Sequence, residues 1–245
     1  MFNKAFANAE IPSALSDASS AVSKIIEIVH AMKAMTHAGK VEHEPVDVNS
    51  LIQDASVIAR NSWKYVASLE MNLDEHLPYP YGDRAELSQI ILNLLVNASD
   101  AIEERYDGQP GVGVIEVNTY SSDDVVYIEV SDNGIGIPEE LQQRVFDPFF
   151  TTKDVGKGTG QGLAFVYQSV LRHHGDVQVE STPGVGTVFR VCLPIAENGV
   201  LPQVSDSVPS TSSRKSFPIE FREDAFGVFS MEGPIDFDFL PIAVA

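Results

Sequence analysis

The turn Asp132-Asn133-Gly134-Ile135-Gly136-Ile137-Pro138 constrains this chain more than any other stretch. An alternating, strand-like run, Val125-Val126-Tyr127-Ile128-Glu129-Val130, feeds it. A carboxylate then stands at the strand end, followed by two glycines two residues apart. Glycine has no Cβ, so such a turn lets the backbone approach a neighbour closely. Asp132 offers an acceptor to an N–H donor. Alone, the pattern specifies only a strand end with an acceptor beside it. Two further stretches give it a context.

Downstream, Val145-Phe146-Asp147-Pro148-Phe149-Phe150-Thr151-Thr152-Lys153 runs into Asp154-Val155-Gly156-Lys157-Gly158-Thr159-Gly160-Gln161-Gly162-Leu163. Glycines alternate through this loop, at Gly156, Gly158, Gly160 and Gly162, and leave it rich in free N–H groups. A helix is expected over Leu163–Leu171. A glycine loop feeding a helix N-terminus is an anion site, because the N–H groups and the helix dipole both favour phosphate. No Gly-Lys-Ser/Thr closes the loop, so it is not the common P-loop. No strand precedes it, so it is not the dinucleotide fingerprint either.

Upstream, the pattern over Glu86–Ile102 predicts a helix. Leu87, Ile91, Leu94, Ala98 and Ile102 make its core stripe. Asn93, Asn97 and Asp100 share another face. Asparagine is a poor helix former. Two on one face of an apolar helix point to function, against the plainer reading of two solvated amides.

The formal net charge is −19. Nucleic acid or an anionic membrane would call for a basic face, so neither is expected as a partner. A phosphate-bearing ligand survives that total. Screening confines charge effects to roughly 8 Å in physiological salt, and Arg144, Lys153 and Lys157 form a local basic cluster. No apolar run approaches the roughly 18 residues of a membrane span. Met1-Phe2-Asn3-Lys4 lacks the apolar core of a signal peptide. A cytoplasmic location is expected. The single cysteine, Cys192, excludes an internal disulfide and reads as a small buried apolar residue.

Residues 1–12 read as a flexible lead-in. From Ser13, Leu15, Ala18, Val22, Ile25, Val29 and Met32 are spaced 3, 4, 3, 4, 3, a heptad seam that ends near Gly39. That seam favours an intermolecular bundle, the alternative being a helix packed on its own domain. A helix from about Ser50 to Tyr65, capped by Asn49, and a strand around Ser68–Leu73 follow. Asp83 with Glu86 resembles a capping box. Strands are expected at Val114–Tyr120, Val125–Val130, Asp176–Ser181 and Thr187–Leu193. Residues 197–245, with their Ser-rich stretch, read as a tail with little core of its own.

Together these stretches resemble the catalytic ATP-binding domain of sensor histidine kinases, within the gyrase, Hsp90, histidine kinase and MutL ATPase superfamily. Asn93-Leu-Leu-Val-Asn97-Ala-Ser-Asp100-Ala is similar to the N box, and Asp132-Asn-Gly134-Ile-Gly136-Ile to the G1 box. Phe146-Asp-Pro-Phe149-Phe150-Thr-Thr-Lys153 is similar to the F box. Gly158-Thr159-Gly160-Gln-Gly162-Leu163 is similar to the G2 box, and Gly186-Thr187-Val-Phe189 to the last glycine motif.

The resemblance implies an α/β fold: a two-layer sandwich whose mixed sheet carries helices on one face, over residues 46–196. It implies ATP and Mg²⁺ as cofactors. Asp132 would accept the adenine amino group, with Gly134 and Gly136 admitting the ring and Thr187 supporting it through water. Asn97 would ligate Mg²⁺, with Asn93 beside the phosphates. Lys153, Gly158, Thr159, Gly160, Gly162 and Leu163 would hold the phosphates under a lid, and Lys157 and Arg144 could add charge.

Where the hydrolytic branches of that superfamily carry a glutamate that activates water, this chain has Asn93, which cannot act as a base. The implied chemistry is therefore transfer of the γ-phosphate to a histidine, by positioning and charge neutralisation. Residues 13–45 resemble the second helix of the dimerisation and phosphoacceptor hairpin. None of the six histidines, His30, His37, His43, His76, His173 and His174, has the acceptor's context. The implied partners are a response regulator, a phosphoacceptor-histidine domain in a longer chain or in trans, and a second copy through residues 13–39. The alternatives are an ATPase or Ser/Thr-directed kinase on the same fold, and a non-catalytic nucleotide-sensing dimer module.

Overall fold

The computed structural model describes residues 43–107, 109, 112–122, 124–153 and 158–195, and the backbone of 221–223 and 229–231. The expected heptad helix, its dimer contact and Lys157 lie outside the described residues. So do the lead-in and most of the tail.

A five-stranded mixed sheet forms one layer. Its strands are β2 (Ala67–Leu73), β4 (Gly113–Ser122), β5 (Val125–Asp132), β6 (Asp176–Thr182) and β7 (Gly186–Pro194). The order is β2-β4-β5-β7-β6, with β2 parallel to β4 and every other pair antiparallel. The side-chain period of two sends Ile115 and Val117 of β4, Val126, Ile128 and Val130 of β5, and Phe189, Val191 and Leu193 of β7 into the core. The opposite face is polar. There Tyr120 stacks on Tyr127 with ring centroids 4.8 Å apart, and Arg190 pairs with Glu129 and Glu180.

The helices cover one face, as expected. They are α1 (Val48–Ile58), α3 (Arg84–Tyr106) and α5 (Gly162–Arg172), joined by the short α2 (Arg60–Trp63) and α4 (Glu139–Gln142). A two-residue strand β1 (Glu44–Pro45) pairs with β3 (Tyr81–Gly82) beside the start of α3. On α3 the whole predicted stripe is buried, Leu87, Ile91, Leu94, Ala98 and Ile102 being at most 3% exposed. Ile90 and Leu95 widen it. Trimming one such residue, as in Leu94→Ala, costs about 2–5 kcal/mol through lost burial and the cavity left behind.

Three local expectations are corrected. Asp47, not Asn49, caps α1, its carboxylate accepting from the Ser50 N–H at 3.0 Å. Asn49 is instead tied sideways, donating to the Asp74 carbonyl at 2.7 Å and accepting from the Thr119 hydroxyl at 2.9 Å. The helix expected to reach Tyr65 breaks at Ala59, where the Ser62 N–H turns back to the Ala59 carbonyl at 2.8 Å. Tertiary donors hold that break: Trp63 donates to the Ser56 carbonyl and the Ser99 hydroxyl to the Ser62 carbonyl.

At α3, Asp83 caps as predicted, accepting from Ala85 and Glu86. Glu86 does not close the box. It forms a pair with Arg172 at 3.0 Å, and the Asp83 N–H goes to His173 Nε2 at 2.9 Å.

Within residues 203–245, β8 (Phe221–Glu223) pairs antiparallel with β9 (Phe229–Met231), a hairpin the composition did not suggest. No helix among the described residues is long and apolar enough to cross a membrane.

Candidate functional site

Register places the acceptor. Asp132 ends β5 opposite Thr187 of β7, which stands opposite Ser181 of β6. The row Ser181–Thr187–Asp132 thus crosses three strands on the helix-facing side of the sheet. Ser181 Oγ accepts from the Ile137 N–H at 2.7 Å, donates to the Gly186 carbonyl at 2.9 Å and meets Thr187 Oγ1 at 2.9 Å.

Asp132 is 6% exposed. Its Oδ1 accepts from the Gly134 N–H at 2.8 Å, an aspartate turn closing on its own backbone. Burial pushes the carboxyl up to about 7, against the opposing pull of the Gly134 and Thr187 N–H groups and of Arg105.

The glycines of this turn serve the chain itself. A Cβ at Gly134 would stand 2.6 Å from Ala101 Cβ, so its absence lets the turn lie against α3. Gly136 has φ +73°, and a Cβ there would fall 2.2 Å from the Thr182 carbonyl oxygen. On their Cβ side these two positions abut α3 and the end of β6.

Two neighbours were not legible from motif spacing. Asn133 bridges to the start of β4, accepting from the Val114 N–H at 2.8 Å and donating to the Val112 carbonyl at 3.0 Å. Arg105, on the last turn of α3, reaches carbonyls of the same turn. No nearby motif marks it.

A second cluster lies along the polar face of α3. Asn93, Asn97 and Asp100 are all half-buried there. Gln89 donates to Asn93 Oδ1 at 2.9 Å, and Asn93 donates to the Gly162 carbonyl at 3.2 Å, docking the start of α5 on α3. The Asn97 side-chain amide has no hydrogen-bond partner among the described residues. A Cβ at Gly162 would meet Asn93 at 3.8 Å and Asn97 at 3.9 Å, ordinary contact distances. Lys153 pairs with Asp100, which brings the one described lysine of the predicted cluster onto the asparagine face.

The loop around α5 is bound to the aromatic segment before it. Gly160 has φ +64°, its carbonyl accepts from the Phe149 N–H at 2.9 Å, and it would clash with Phe149 if it bore a Cβ. Gly158 packs on Thr151 and Lys153. Thr159 is half-buried and partnered, and Leu163 packs on the core. Phe146 is held between Tyr167 and Phe189, whereas Phe149 is exposed and in the left-handed region at φ +67°. Arg144 lies over the Phe150 ring at 4.7 Å, beside Asp147.

The donor set suits a nucleotide with a hard cation. No group of three or more His, Cys, Asp or Glu that could hold a metal occurs among the described residues. A cation here would take an amide oxygen from α3 and draw its other ligands from phosphate and water, as magnesium does. The buried Gln161 Oε1, unpartnered among the described residues, adds an acceptor at the start of α5.

Elsewhere, an open cleft of about 380 Å³ lies between the start of α1 and the 75–79 loop, lined by Asp47, Glu75, His76 and Tyr79 among others. Its carboxylates would repel phosphate, and it holds none of the motif residues. His173 is buried with both ring nitrogens engaged, Nδ1 donating to the Ser169 carbonyl at 2.7 Å and Nε2 accepting from Asp83. Burial lowers its pKa, so it is a neutral structural clamp. Burial likewise pushes the Cys192 thiol up to about 12, which leaves it unreactive.

Residues 82–197 match the family described as histidine kinase-, DNA gyrase B-, and HSP90-like ATPase. Signal transduction histidine-protein kinase AtoS of Escherichia coli (strain K12) is 33% identical over 180 residues, covering 73% of this chain and 28% of AtoS. Sensory histidine kinase/phosphatase NtrB of Rhizobium leguminosarum bv. phaseoli is 30% identical over 200 residues, covering 78% of this chain and 51% of NtrB. The chain therefore spans about half or less of these relatives' length. Among solved structures, the mycobacterial sensor histidine kinase MprB is similar with a TM-score of 0.53 at 30% identity, over 62% of this chain and 97% of that one. A nucleotide-free form of the catalytic domain of histidine kinase ThkA is similar with a TM-score of 0.54 at 29% identity, over 62% of this chain and 95% of that one.

Proposed function

We propose a function from the premise that this chain belongs to the histidine kinase-, DNA gyrase B-, and HSP90-like ATPase family and carries a sensor histidine kinase catalytic domain. It binds ATP with Mg²⁺ and passes the γ-phosphoryl group to a histidine nitrogen other than those of this chain's six histidines, leaving ADP. The observation that carries this reading is the pairing of two unlike ends. A buried acceptor stands on the sheet at Asp132, and a lysine and two asparagines converge where the glycine loop meets α3.

Asp132 accepts the adenine amino group, with Thr187 beside it. Gly134 and Gly136 hold the turn in the shape that presents the carboxylate. Asn97 gives its amide oxygen to the cation, which supplies charge neutralisation at the phosphates when bound. Asn93 keeps the start of α5 at the phosphates. Lys153 and the backbone of Gly158, Thr159, Gly160, Gly162 and Leu163 hold and screen them. A carboxamide at position 93 cannot take a proton from water, so the site favours transfer over hydrolysis.

A response regulator, a phosphoacceptor-histidine domain and a second copy through residues 13–39 complete the proposed assembly, in the cytoplasm. The test is calorimetric titration of the chain with ATP and Mg²⁺, followed by incubation with labelled ATP. Mg²⁺-dependent binding, label transfer to an added acceptor domain and no acid-labile phosphate on this chain are expected. Sustained phosphate release by the chain alone would favour an ATPase and overturn the transfer reading.

A further inference from the structure

Arg105 ties together two loops that are far apart in sequence. Its Nη1 donates to the carbonyls of Asn133 at 2.7 Å, Val185 at 2.8 Å and Gly134 at 3.3 Å. The first and third belong to the turn that follows β5. The second belongs to the turn between β6 and β7, one residue before Gly186. The guanidinium lies over the Tyr106 ring, 5.0 Å from its centroid, which fixes the plane of the fork. Carbonyl oxygens converging on one point repel unless a donor stands among them, and half-buried carbonyls need a partner in any case. The Arg105 Nη1 stands among all three, one bond farther from the backbone than the ammonium of a lysine would reach.

These three carbonyls frame the acceptor. Asn133 and Gly134 directly follow Asp132, and Gly134 also gives Asp132 its backbone N–H. Val185 leads through Gly186 into Thr187, the residue opposite Asp132 across the sheet. We propose that Arg105 is a positioning residue for the base end of the site: by tying the Asn133–Gly134 turn to Val185, it holds Asp132 and Thr187 in one rigid edge facing a purine. This rests on the reading of Asp132 as the base acceptor. A charge effect supports it. Arg105 is the charged side chain acting on the Asp132 carboxyl, alongside the Gly134 and Thr187 N–H groups, and it opposes the burial that raises that carboxyl. The guanidinium therefore sets both the geometry of the acceptor and the pH at which it carries its charge.

The test measures Mg-ATP affinity of the full chain against pH on both sides of 7, the value to which burial pushes Asp132. Wild type, Arg105→Met, Arg105→Lys and Asp132→Asn are compared. The nucleotide's own phosphate titration is common to all and cancels between variants. In Arg105→Met the affinity on the high-pH plateau falls about tenfold, the scale of a lost charge-assisted hydrogen bond. The midpoint of the pH dependence also moves above that of wild type.

Arg105→Lys keeps the charge but ends one bond short of the three carbonyls and loses the planar contact with Tyr106, so affinity falls with less movement of the midpoint. An unmoved midpoint in Arg105→Met overturns the proposal, since a merely structural role would lower affinity alone. Should that variant fail to fold, wild-type affinity in Arg105→Lys overturns it equally. Asp132→Asn separates the two layers: if it binds ATP as wild type does, the base-site reading has failed. If it loses binding while Arg105→Met matches wild type, only the role of Arg105 has failed.

Discussion

The two ends of the site are built differently. At the sheet end, Asp132 sits in a frame held from four directions: by Gly134 within its own turn, by Asn133 to β4, by Ser181 to the Gly186 carbonyl, and by Arg105 to Val185. At the loop end, described contacts are fewer and weaker. One 3.2 Å hydrogen bond joins Asn93 to Gly162, and a partly exposed ion pair joins Lys153 to Asp100. Under the proposed function, the first is a preformed base end that selects, and the second a phosphate end that rearranges around its ligand, as a reaction that must release a charged group needs.

The sharpest way to break this contrast is at a glycine of the frame. Gly136→Ala places a Cβ 2.2 Å from the Thr182 carbonyl oxygen at a φ of +73°. Backbone cannot yield as a side chain does, and both strain and clash act together. A loss of about 3 kcal/mol or more of folding stability is expected in chemical denaturation. Wild-type stability would show that the turn is not a rigid element.

Asp132→Asn attacks the acceptor without the frame. The neutral amide offers one acceptor oxygen and an NH₂ that repels the adenine amino group, so ATP binding should disappear from calorimetric titration. The wild type carries a pH dependence with a definite sign. Its folded carboxyl titrates near 7, and an N–H donor on the ligand favours the ionised form. Affinity is therefore full above about 7 and falls as pH drops through it. A flat profile after correction for the phosphate's own titration would sink the assignment.

Lys153→Met tests the other end. Its partner Asp100 is about a third exposed, so the pair adds little to folding, within about 0.5 kcal/mol. ATP affinity should fall roughly tenfold by loss of one charge-assisted contact to phosphate, while adenosine binding stays as in wild type. Equal losses for ATP and adenosine would place Lys153 away from the phosphates.

The same contrast governs what the sequence could reveal. The Asp132 turn was readable because a strand, an acceptor and two glycines sit within a dozen residues. The stripe on α3 was readable because one helix carries its own period. Arg105 was not, since an arginine near a helix end reads as a solvated cation until Val185, 80 residues on, folds beside it. Glu86 looked like half of a capping box and found Arg172 instead, 86 residues away. Asn49 lost the cap to Asp47 because Asp74 and Thr119 claimed its amide. The contact of Gly134 with Ala101 of α3 also lay out of reach, since it joins two motifs through space. Each miss is a long-range partner outbidding a local preference.

Gly162→Ala sharpens the comparison with the smallest expected effect. Unlike Gly136, this glycine opens a helix, and a Cβ there finds ordinary contacts at 3.8 Å and 3.9 Å to Asn93 and Asn97. Alanine is the better helix former, so folding stability should be unchanged or rise by about 0.5 kcal/mol. The added methyl nonetheless points at the two amides assigned to the phosphates and the cation. It removes room that the ligand needs, so Mg-ATP affinity should fall a few-fold while adenosine affinity holds. A variant gaining stability and losing only phosphate-dependent affinity would separate the two ends in one substitution. One that loses stability would show that α5 starts under the same constraint as the frame, and the contrast between a fixed base end and an adaptable phosphate end would go.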